Sequence, residues 1–231
     1  MKSNKVKYHL FFEQSGTFKN EFKKLGYEAY DYDILNMYNE TDFVMDLYDE
    51  IEKGFLGLKS VFDKIEGGQD TILAFFPCIR FEQQILLHFR GDASQMKNMS
   101  DLEKLCSDLK LHDELHKNYN LITKLAIVCL RKNIPLIIEN PFSEQHYLRK
   151  YWCLKPKVVD MNRRENGDNY IKPTQYWFIN CEPKRNFIFE PLQEVEHKLV
   201  DDGDTVERSM INPQYANRFI REFIIEEKEG D

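Results

Sequence analysis

Short apolar runs alternate with longer segments of helical periodicity along this chain, and this alternation constrains the fold more than any other feature. Four runs have the length and the β-branched or aromatic content of strands, and they read KYHLFFE, YEAYDYDI, DTILAFFP and IPLIIEN. The segments between them include SGTFKNEFKKLG, a helix closed by Gly26, and DFVMDLYDEIEKGF, which reads as a helix or as a strand followed by a helix. Strands that alternate with helices predict an α/β fold, with a mostly parallel central sheet and helices on both faces.

The longest helical segment runs from Ser100 to Asn133. Its apolar residues recur at spacings of three and four and predict one buried face, formed by Leu115, Tyr119, Ile122, Ala126, Cys129 and Leu130. The chain of 231 residues is 42% hydrophobic and 31% charged, which is typical of one globular domain. We therefore expect a single domain over residues 1–225, followed by a charged tail, EEKEGD, at 226–231.

Several sequence features bear on the compartment and on metals. No apolar run approaches the roughly 18 to 20 residues that a membrane span needs, and the N-terminal apolar stretch is too short for a secretory signal. The five cysteines are odd in number and widely spaced, so neither a disulfide framework nor a structural zinc site is predicted. His112 and His116 have the spacing of a zinc helix but lack a glutamate directly after the first histidine, which favours a solvated helix face. We expect a cytoplasmic protein with reduced thiols, no metal and no membrane contact.

The charge is distributed unevenly along the chain. The formal net charge of −7 argues against a protein that coats nucleic acid with a basic surface. Between residues 145 and 185, however, nine basic residues stand against four acidic ones, a local charge of +5, and tyrosines and tryptophans are interleaved with them. Basic and aromatic side chains together suit a polyanion that carries stackable bases. A solvated loop with ordinary core aromatics explains the same composition, so this segment alone leaves both interpretations open.

Polar and reactive residues follow the ends of the predicted strands. In such a sheet, ligands bind beyond the carboxyl ends of the strands, where the strand order reverses. Gly16 opens a helix there, and free backbone amides at a helix start attract anionic or polar groups, although a simple turn is the commoner role of a lone glycine. Asp33 ends the second strand, in a position that often binds ribose hydroxyls. Cys78 follows a strand at a Pro-Cys corner, either as a nucleophile or as a buried thiol that fills space.

The order of these motifs resembles that of DNA (cytosine-5) methyltransferases. The segments FFEQSGTFKNEFKKLGYEAYDYDI, FFPC and IIENP are similar to the family's cofactor loop, catalytic loop and glutamate–asparagine motif. With KPTQYWFIN and ERSMINPQYANRFI added, the chain resembles the short methyltransferase-like proteins of phages and mobile elements, from Phe11 to about Ile224. The resemblance implies a Rossmann-like S-adenosylmethionine-dependent methyltransferase fold and methylation of cytosine carbon 5 in DNA.

The resemblance also implies roles for individual residues. It makes Cys78 the nucleophile that adds to cytosine carbon 6, Glu139 the group that hydrogen-bonds the ring nitrogen and the exocyclic amine, and Asn140 a residue that helps to orient the site. For the cofactor, S-adenosylmethionine, the implied contacts are Phe12, Ser15, Gly16, Asp33 and Asp46. For the DNA, the expected contacts are Arg163, Arg164, Lys172 and Thr174.

The chain departs from the family pattern in three places. Gln14 stands where the cofactor loop usually has its first glycine, Phe76 where the catalytic loop has a second proline, and Glu82 near the position of a serine. An acid so close to a cysteine is expected to raise the pKa of the thiol. Only about 28 residues separate Asn180 from Arg208, too few for a large target-recognition domain, so we expect a protein partner or an oligomer to supply target recognition. The alternative is a catalytically degenerate member that keeps the fold and serves as a nucleic-acid-binding or regulatory module.

Overall fold

A seven-stranded sheet forms the centre of the structure, a computed structural model that describes residues 6–82, 85–198 and 210–226. The strands are β1 (Lys7–Phe11), β2 (Glu28–Asp33), β3 (Phe43–Val44), β4 (Thr71–Phe75), β5 (Leu136–Pro141), β6 (Val158–Asp160) and β7 (Thr174–Ile179). Their order in the sheet is β3-β2-β1-β4-β5-β7-β6. Neighbours from β3 to β5 are parallel, whereas β7 is antiparallel to both β5 and β6. The prediction of an α/β fold with a mostly parallel sheet is confirmed.

Six α-helices are found in the described part of the chain. They are α1 (Thr17–Lys24), α2 (Leu47–Phe55), α3 (Ile85–Phe89), α4 (Asp101–Arg131), α5 (Tyr147–Tyr151) and α6 (Pro213–Phe219), and α6 continues as a π-helix over Ile220–Ile224. The segment DFVMDLYDEIEKGF is a strand followed by a helix, β3 and α2, because Asp46 caps the first amides of α2. No helix of the described ranges is long and apolar enough to cross a membrane. Residues 207–209 of the ERSMINPQYANRFI motif and residues 227–231 of the expected tail lie outside the described ranges.

Helices cover both faces of the sheet and form two apolar layers. One layer packs α2 and α4 against the sheet, and the other packs α1 and α6 against the opposite face. In β4, Ile72 points into the first layer and Leu73 into the second, and in β5 Ile138 and Ile137 divide in the same way. Successive side chains of a strand point to opposite faces, so a continuous apolar run fills both layers.

The apolar face predicted for α4 is largely correct. Ile122, Ala126 and Cys129 are buried, and Leu115 and Tyr119 of the same face pack partly on the core. The prediction was wrong for Leu130, which is 52% exposed. With 3.6 residues per turn, Leu130 lies about 100° round the helix from Cys129 and points away from the sheet.

One edge of the sheet gathers the ends of several strands. The parallel pairing brings the carboxyl ends of β1, β2, β4 and β5 to this edge, and the chain order reverses between β1 and β4. Because β7 is antiparallel, it begins at the same edge, where Thr174 pairs with Pro141. Asp160, the last residue of β6, also pairs with Thr174, so the segment that follows β6 starts here as well.

Candidate functional site

A pocket of about 280 Å³ opens at this edge, between the loops that follow β1 and β4. We call it the thiol pocket because Cys78 lines it. Glu139 lines it from β5, Lys172 from the segment before β7, and Arg163 from the 3-10 helix after β6. Four predicted site residues from four separate parts of the chain therefore face one cavity.

The thiol of Cys78 is held by a neighbouring acid. Its Sγ donates a hydrogen bond to Glu82 Oε1 at 2.8 Å. Burial raises the pKa of the Cys78 thiol well above its ordinary value, the carboxylates of Glu82 and Glu139 raise it further, and the charge of Lys172 lowers it. The effect expected of an acid beside this cysteine is therefore present, and the thiol is neutral near pH 7 in this arrangement.

Glu139 faces the pocket with two cations nearby. Burial raises the pKa of the Glu139 carboxyl group, while the charges of Lys172 and Arg163 oppose the rise. A protonated carboxyl group has one O–H donor beside an acceptor oxygen, so it can bind a partner that offers a hydrogen-bond acceptor beside a donor. Arg163 is only 1% exposed, forms an ion pair with Asp168 and lies 4.8 Å from the centre of the Tyr215 ring. It is therefore a fixed internal cation rather than a surface one.

A second pocket of about 380 Å³, which we call the β2 pocket, adjoins the thiol pocket. The two cavities share Phe12, Phe75 and Pro77 as lining residues. The β2 pocket is also lined by Asp33, Ile34, Asp46, Leu47 and Tyr48. Its two carboxyl groups stand among apolar side chains, an arrangement that suits a largely apolar ligand with hydroxyl or amine donors.

Both acids of the β2 pocket also bind the backbone. Asp33 Oδ1 accepts a hydrogen bond from the amide of Leu35 at 2.8 Å, and burial raises the pKa of the Asp33 carboxyl group. Asp46 Oδ1 accepts from the amides of Tyr48 at 2.9 Å and Asp49 at 3.4 Å, which caps α2. These bonds fix the positions of the two carboxyl groups at the pocket wall.

The helix that Gly16 opens does not offer free amides, in contrast to our expectation. The carboxylate of Glu13 accepts hydrogen bonds from the amides of Phe18 at 2.8 Å and Lys19 at 3.4 Å. Ser15 Oγ donates to the same carboxylate at 3.4 Å. The loop thus caps the helix with its own acid, which satisfies the amides that a ligand would otherwise bind. Glu13 and Ser15 line the thiol pocket, whereas Gly16 is not among the residues that line the two cavities.

Sequence reasoning missed Glu13 as a site residue. Burial raises its pKa from 4.5 to about 7, and although the negative charge of Asp31 adds to this, the hydrogen bonds from Phe18 and Lys19 reduce it. The signal in the sequence was an acid placed directly between a buried strand and the glycine that opens a helix. Its neighbour Gln14 also lines the thiol pocket, and Gln14 Oε1 is buried with no hydrogen-bond partner within the described residues.

Besides Gly16, three other predicted residues do not line the two cavities. Asn140 is fully buried and its Nδ2 donates to the carbonyl of Phe76 at 2.8 Å, which ties the end of β5 to the corner before Cys78. Thr174 is buried and its Oγ1 donates to the Lys172 carbonyl at 2.9 Å. The guanidinium group of Arg164 donates to the carbonyl of residue 198 at 2.7 Å. All three support the backbone around the site.

No metal centre is evident in the ranges that the structure describes, because they contain no group of three or more His, Cys, Asp or Glu side chains that could hold an ion.

No family model matches the chain, and no curated protein does either. The two pockets and the residues that line them are therefore the features that bear on function.

Proposed function

We propose that this protein is an S-adenosylmethionine-dependent methyltransferase that acts on cytosine carbon 5 in DNA, with Cys78 as its nucleophile. The observation that carries the proposal is that Cys78 and Glu139 line one pocket, which adjoins a second pocket lined by Asp33. The seven-stranded, mostly parallel sheet with helices on both faces is compatible with a Rossmann-like methyltransferase fold and supports the same proposal. A protein partner or an oligomer supplies target recognition in this proposal.

The two adjoining pockets fit the proposed cofactor. Asp33 in the β2 pocket suits the ribose hydroxyls, Asp46 suits an amine donor of the adenine, and Phe12 and Tyr48 supply aromatic walls. In the thiol pocket, the buried and unpartnered Oε1 of Gln14 suits the ammonium group of the methionine part. When bound, S-adenosylmethionine supplies an electrophilic methyl group.

The residues of the thiol pocket suit the activation of cytosine. Carbon 5 becomes nucleophilic once a thiolate adds to carbon 6. Cys78 loses its proton to water and forms an Sγ–carbon 6 bond, while the electron pair of the double bond between carbons 5 and 6 moves into the ring. When protonated, Glu139 donates to the ring nitrogen and accepts from the exocyclic amine, which stabilises the charge that develops. After carbon 5 is methylated, its proton passes to water, the double bond between carbons 5 and 6 re-forms, and the Sγ–carbon 6 bond breaks, which regenerates Cys78.

The hydrogen bond between Cys78 and Glu82 favours a second candidate function. Because burial and two carboxylates raise the pKa of the thiol, the protein holds a neutral thiol where the reaction needs a thiolate. A catalytically degenerate protein that binds nucleic acid or regulates a partner would tolerate this arrangement. Such a module would keep the β2 pocket but form no covalent bond with cytosine.

Covalent trapping tests the nucleophile directly. DNA with 5-fluorocytosine cannot lose a proton from carbon 5, so a protein that methylates it stays attached through Sγ, and mass spectrometry locates the adduct. We expect an adduct with the wild-type protein, none with Cys78→Ser, and slower formation with Glu139→Gln. Cys153 is exposed, so Cys153→Ser serves as the matched control and should form the adduct as the wild type does. An adduct in Cys78→Ser would refute the assignment.

Calorimetry with S-adenosylmethionine separates the two candidates. We expect binding that Asp33→Ala weakens at least about tenfold, the equivalent of one lost hydrogen bond to a charged group. Asp49→Ala removes an exposed carboxylate that does not line the β2 pocket and should leave the affinity unchanged. No binding at millimolar cofactor would refute the methyltransferase proposal, and binding without adduct formation would support the degenerate module.

A further inference from the structure

A groove of about 770 Å³ lies beside the thiol pocket, and we call it the side groove. It is formed by α3, the segment that follows β5 and the segment that precedes β7. Pro141 and Lys172 line both the groove and the thiol pocket. The two cavities are therefore neighbours that share one wall.

Two polar side chains that line the groove lack hydrogen-bond partners within the described residues. His146 is 1% exposed and neither of its ring nitrogens is paired, and the buried Oγ of Ser143 is also unpaired. Buried polar atoms are normally satisfied, so such a pair calls for a ligand or an ordered water. Burial lowers the pKa of His146 to about 4, so near pH 7 the ring is neutral and presents one donor and one acceptor.

The other lining residues offer positive charge and apolar surface. Arg90 and Lys172 are the cations of the groove, and Phe142 and Ile171 contribute apolar area. The guanidinium group of Arg149 lies 4.6 Å from the centre of the Phe142 ring. A neutral donor–acceptor pair suits the edge of a nucleobase, a planar apolar wall suits its face, and the cations suit a phosphate. A nucleotide is the ligand that combines all three.

We propose that the side groove binds the nucleotide next to the target cytosine on the same DNA strand, with its base hydrogen-bonded by His146 and Ser143. The assignment of the neighbouring pocket to cytosine rests on the proposed function, and the groove adds a second nucleotide site to it. Because one wall separates the cavities, consecutive nucleotides of one strand can occupy them. To reach the two cavities from a duplex, both bases must leave the base stack, and this costs free energy that single-stranded DNA does not require. Single-stranded DNA is therefore the preferred substrate form.

Fluorescence anisotropy with a labelled single-stranded hexamer that contains one cytosine tests the groove. We expect the hexamer to bind more tightly than its duplex, and Arg90→Gln to weaken binding about fivefold. Arg131→Gln removes the same charge from the exposed end of α4, far from the groove, and should change the affinity by less than about twofold. Equal losses in the two variants, or tighter binding of the duplex, would overturn the proposal.

Variants of the unpartnered side chains give a second test. His146→Phe removes both ring nitrogens at similar volume and should weaken binding of the hexamer at least about tenfold. Since His146 is buried, the circular dichroism and urea midpoint of the His146→Phe protein are measured first. Ser143→Ala, which removes one hydroxyl group, is the milder variant and should weaken binding of the hexamer about threefold. Unchanged affinity in Ser143→Ala and in a folded His146→Phe would overturn the proposal.

A third probe separates this inference from the proposed function. A hexamer with an abasic site in place of cytosine keeps the adjoining nucleotide, so its binding should still depend on His146 and should not depend on Glu139. If this dependence on His146 is absent, the groove assignment fails even where the 5-fluorocytosine adduct forms. If the adduct is absent while the dependence on His146 holds, the methyltransferase proposal fails and the nucleotide site stands.

Discussion

Replacing Glu82 with glutamine is expected to make Cys78 more reactive. In the wild-type protein Cys78 Sγ lies 2.8 Å from Glu82 Oε1, so ionising the thiol places a second negative charge against a carboxylate. Coulomb's law gives about 1.5 kcal/mol for two unit charges at this separation in bulk water, and about four times as much at the effective dielectric constant of a protein site. Even the smaller energy corresponds to roughly tenfold more thiolate at neutral pH once the charge is removed.

The reaction rate should rise by less than the thiolate fraction. A less basic thiolate is a weaker nucleophile, with a Brønsted coefficient of about 0.4 to 0.5, so a tenfold gain in thiolate becomes roughly a threefold gain in rate. We therefore expect iodoacetamide to alkylate Cys78 at least about three times faster in Glu82→Gln than in the wild type. Peptide mass spectrometry measures the rate, with the exposed Cys153 of the same molecule as an internal reference.

Glu114 provides the matched control for this substitution. Its carboxylate pairs with Arg80, in the same loop as Cys78, but it is not among the groups that shift the pKa of the thiol. Glu114→Gln should therefore leave the alkylation of Cys78 unchanged. An unchanged or slower rate in Glu82→Gln, or an equal acceleration in Glu114→Gln, would refute the conclusion that Glu82 holds the thiol in its neutral form.

Three further substitutions test other parts of the structure. Folding raises the pKa of Glu13 from 4.5 to about 7, so the native state binds the proton of this carboxyl group more tightly than the unfolded chain does. The stability that this proton contributes is complete below pH 4.5 and is lost as the pH rises to 7. Between pH 4.5 and pH 7, the free energy of unfolding of the wild type, measured with urea, should fall by about 3 kcal/mol relative to that of Glu13→Gln. Parallel pH profiles of the two proteins would contradict the raised pKa of Glu13. Asn140→Ala should lower the free energy of unfolding by about 1 to 3 kcal/mol, because it leaves a buried carbonyl without its donor, and a loss below 0.5 kcal/mol in the same assay would contradict this. Gly16→Ala should lower the melting temperature more than Gly26→Ala does. Both glycines have positive φ, but of the two only Gly16 would place an added Cβ close to another side chain, 2.7 Å from Glu40 Oε2. Equal decreases in melting temperature would contradict this contact.

The kinds of element could be predicted from the sequence, whereas their neighbours in the sheet could not. Periodicity reports how much of a strand is buried, and β4 and β5 were recognisable because their apolar runs face helices on both sides. Pairing depends on contacts between distant segments, so nothing in TQYWFI indicates that β7 is inserted antiparallel between β5 and β6. The three-residue strand β6 is too short to give a period at all.

The candidate site could be predicted in part, because the rule for strand ends needs no knowledge of pairing partners. Cys78 follows β4 and Glu139 lies near the end of β5, and parallel neighbours place these ends side by side. Glu13 escaped prediction because its role depends on the amides of the next helix, whose start is only fixed once the loop is folded. Its raised pKa likewise arises from burial, which a sequence pattern does not report for a single acid.

The adjacent residues Arg163 and Arg164 show why local charge could not predict which cations belong to the site. Both lie in a 3-10 helix, where successive side chains are about 120° apart, so the two guanidinium groups point in different directions. Arg163 turns inward, where Asp168 balances its charge beside the thiol pocket, while Arg164 binds backbone carbonyls. The local charge of +5 counts the two arginines equally, although a shift of one residue in this turn would turn Arg164 inward in place of Arg163. For a basic segment of this kind, the register of the turn decides which cation reaches the ligand, and the register is a property of the folded chain.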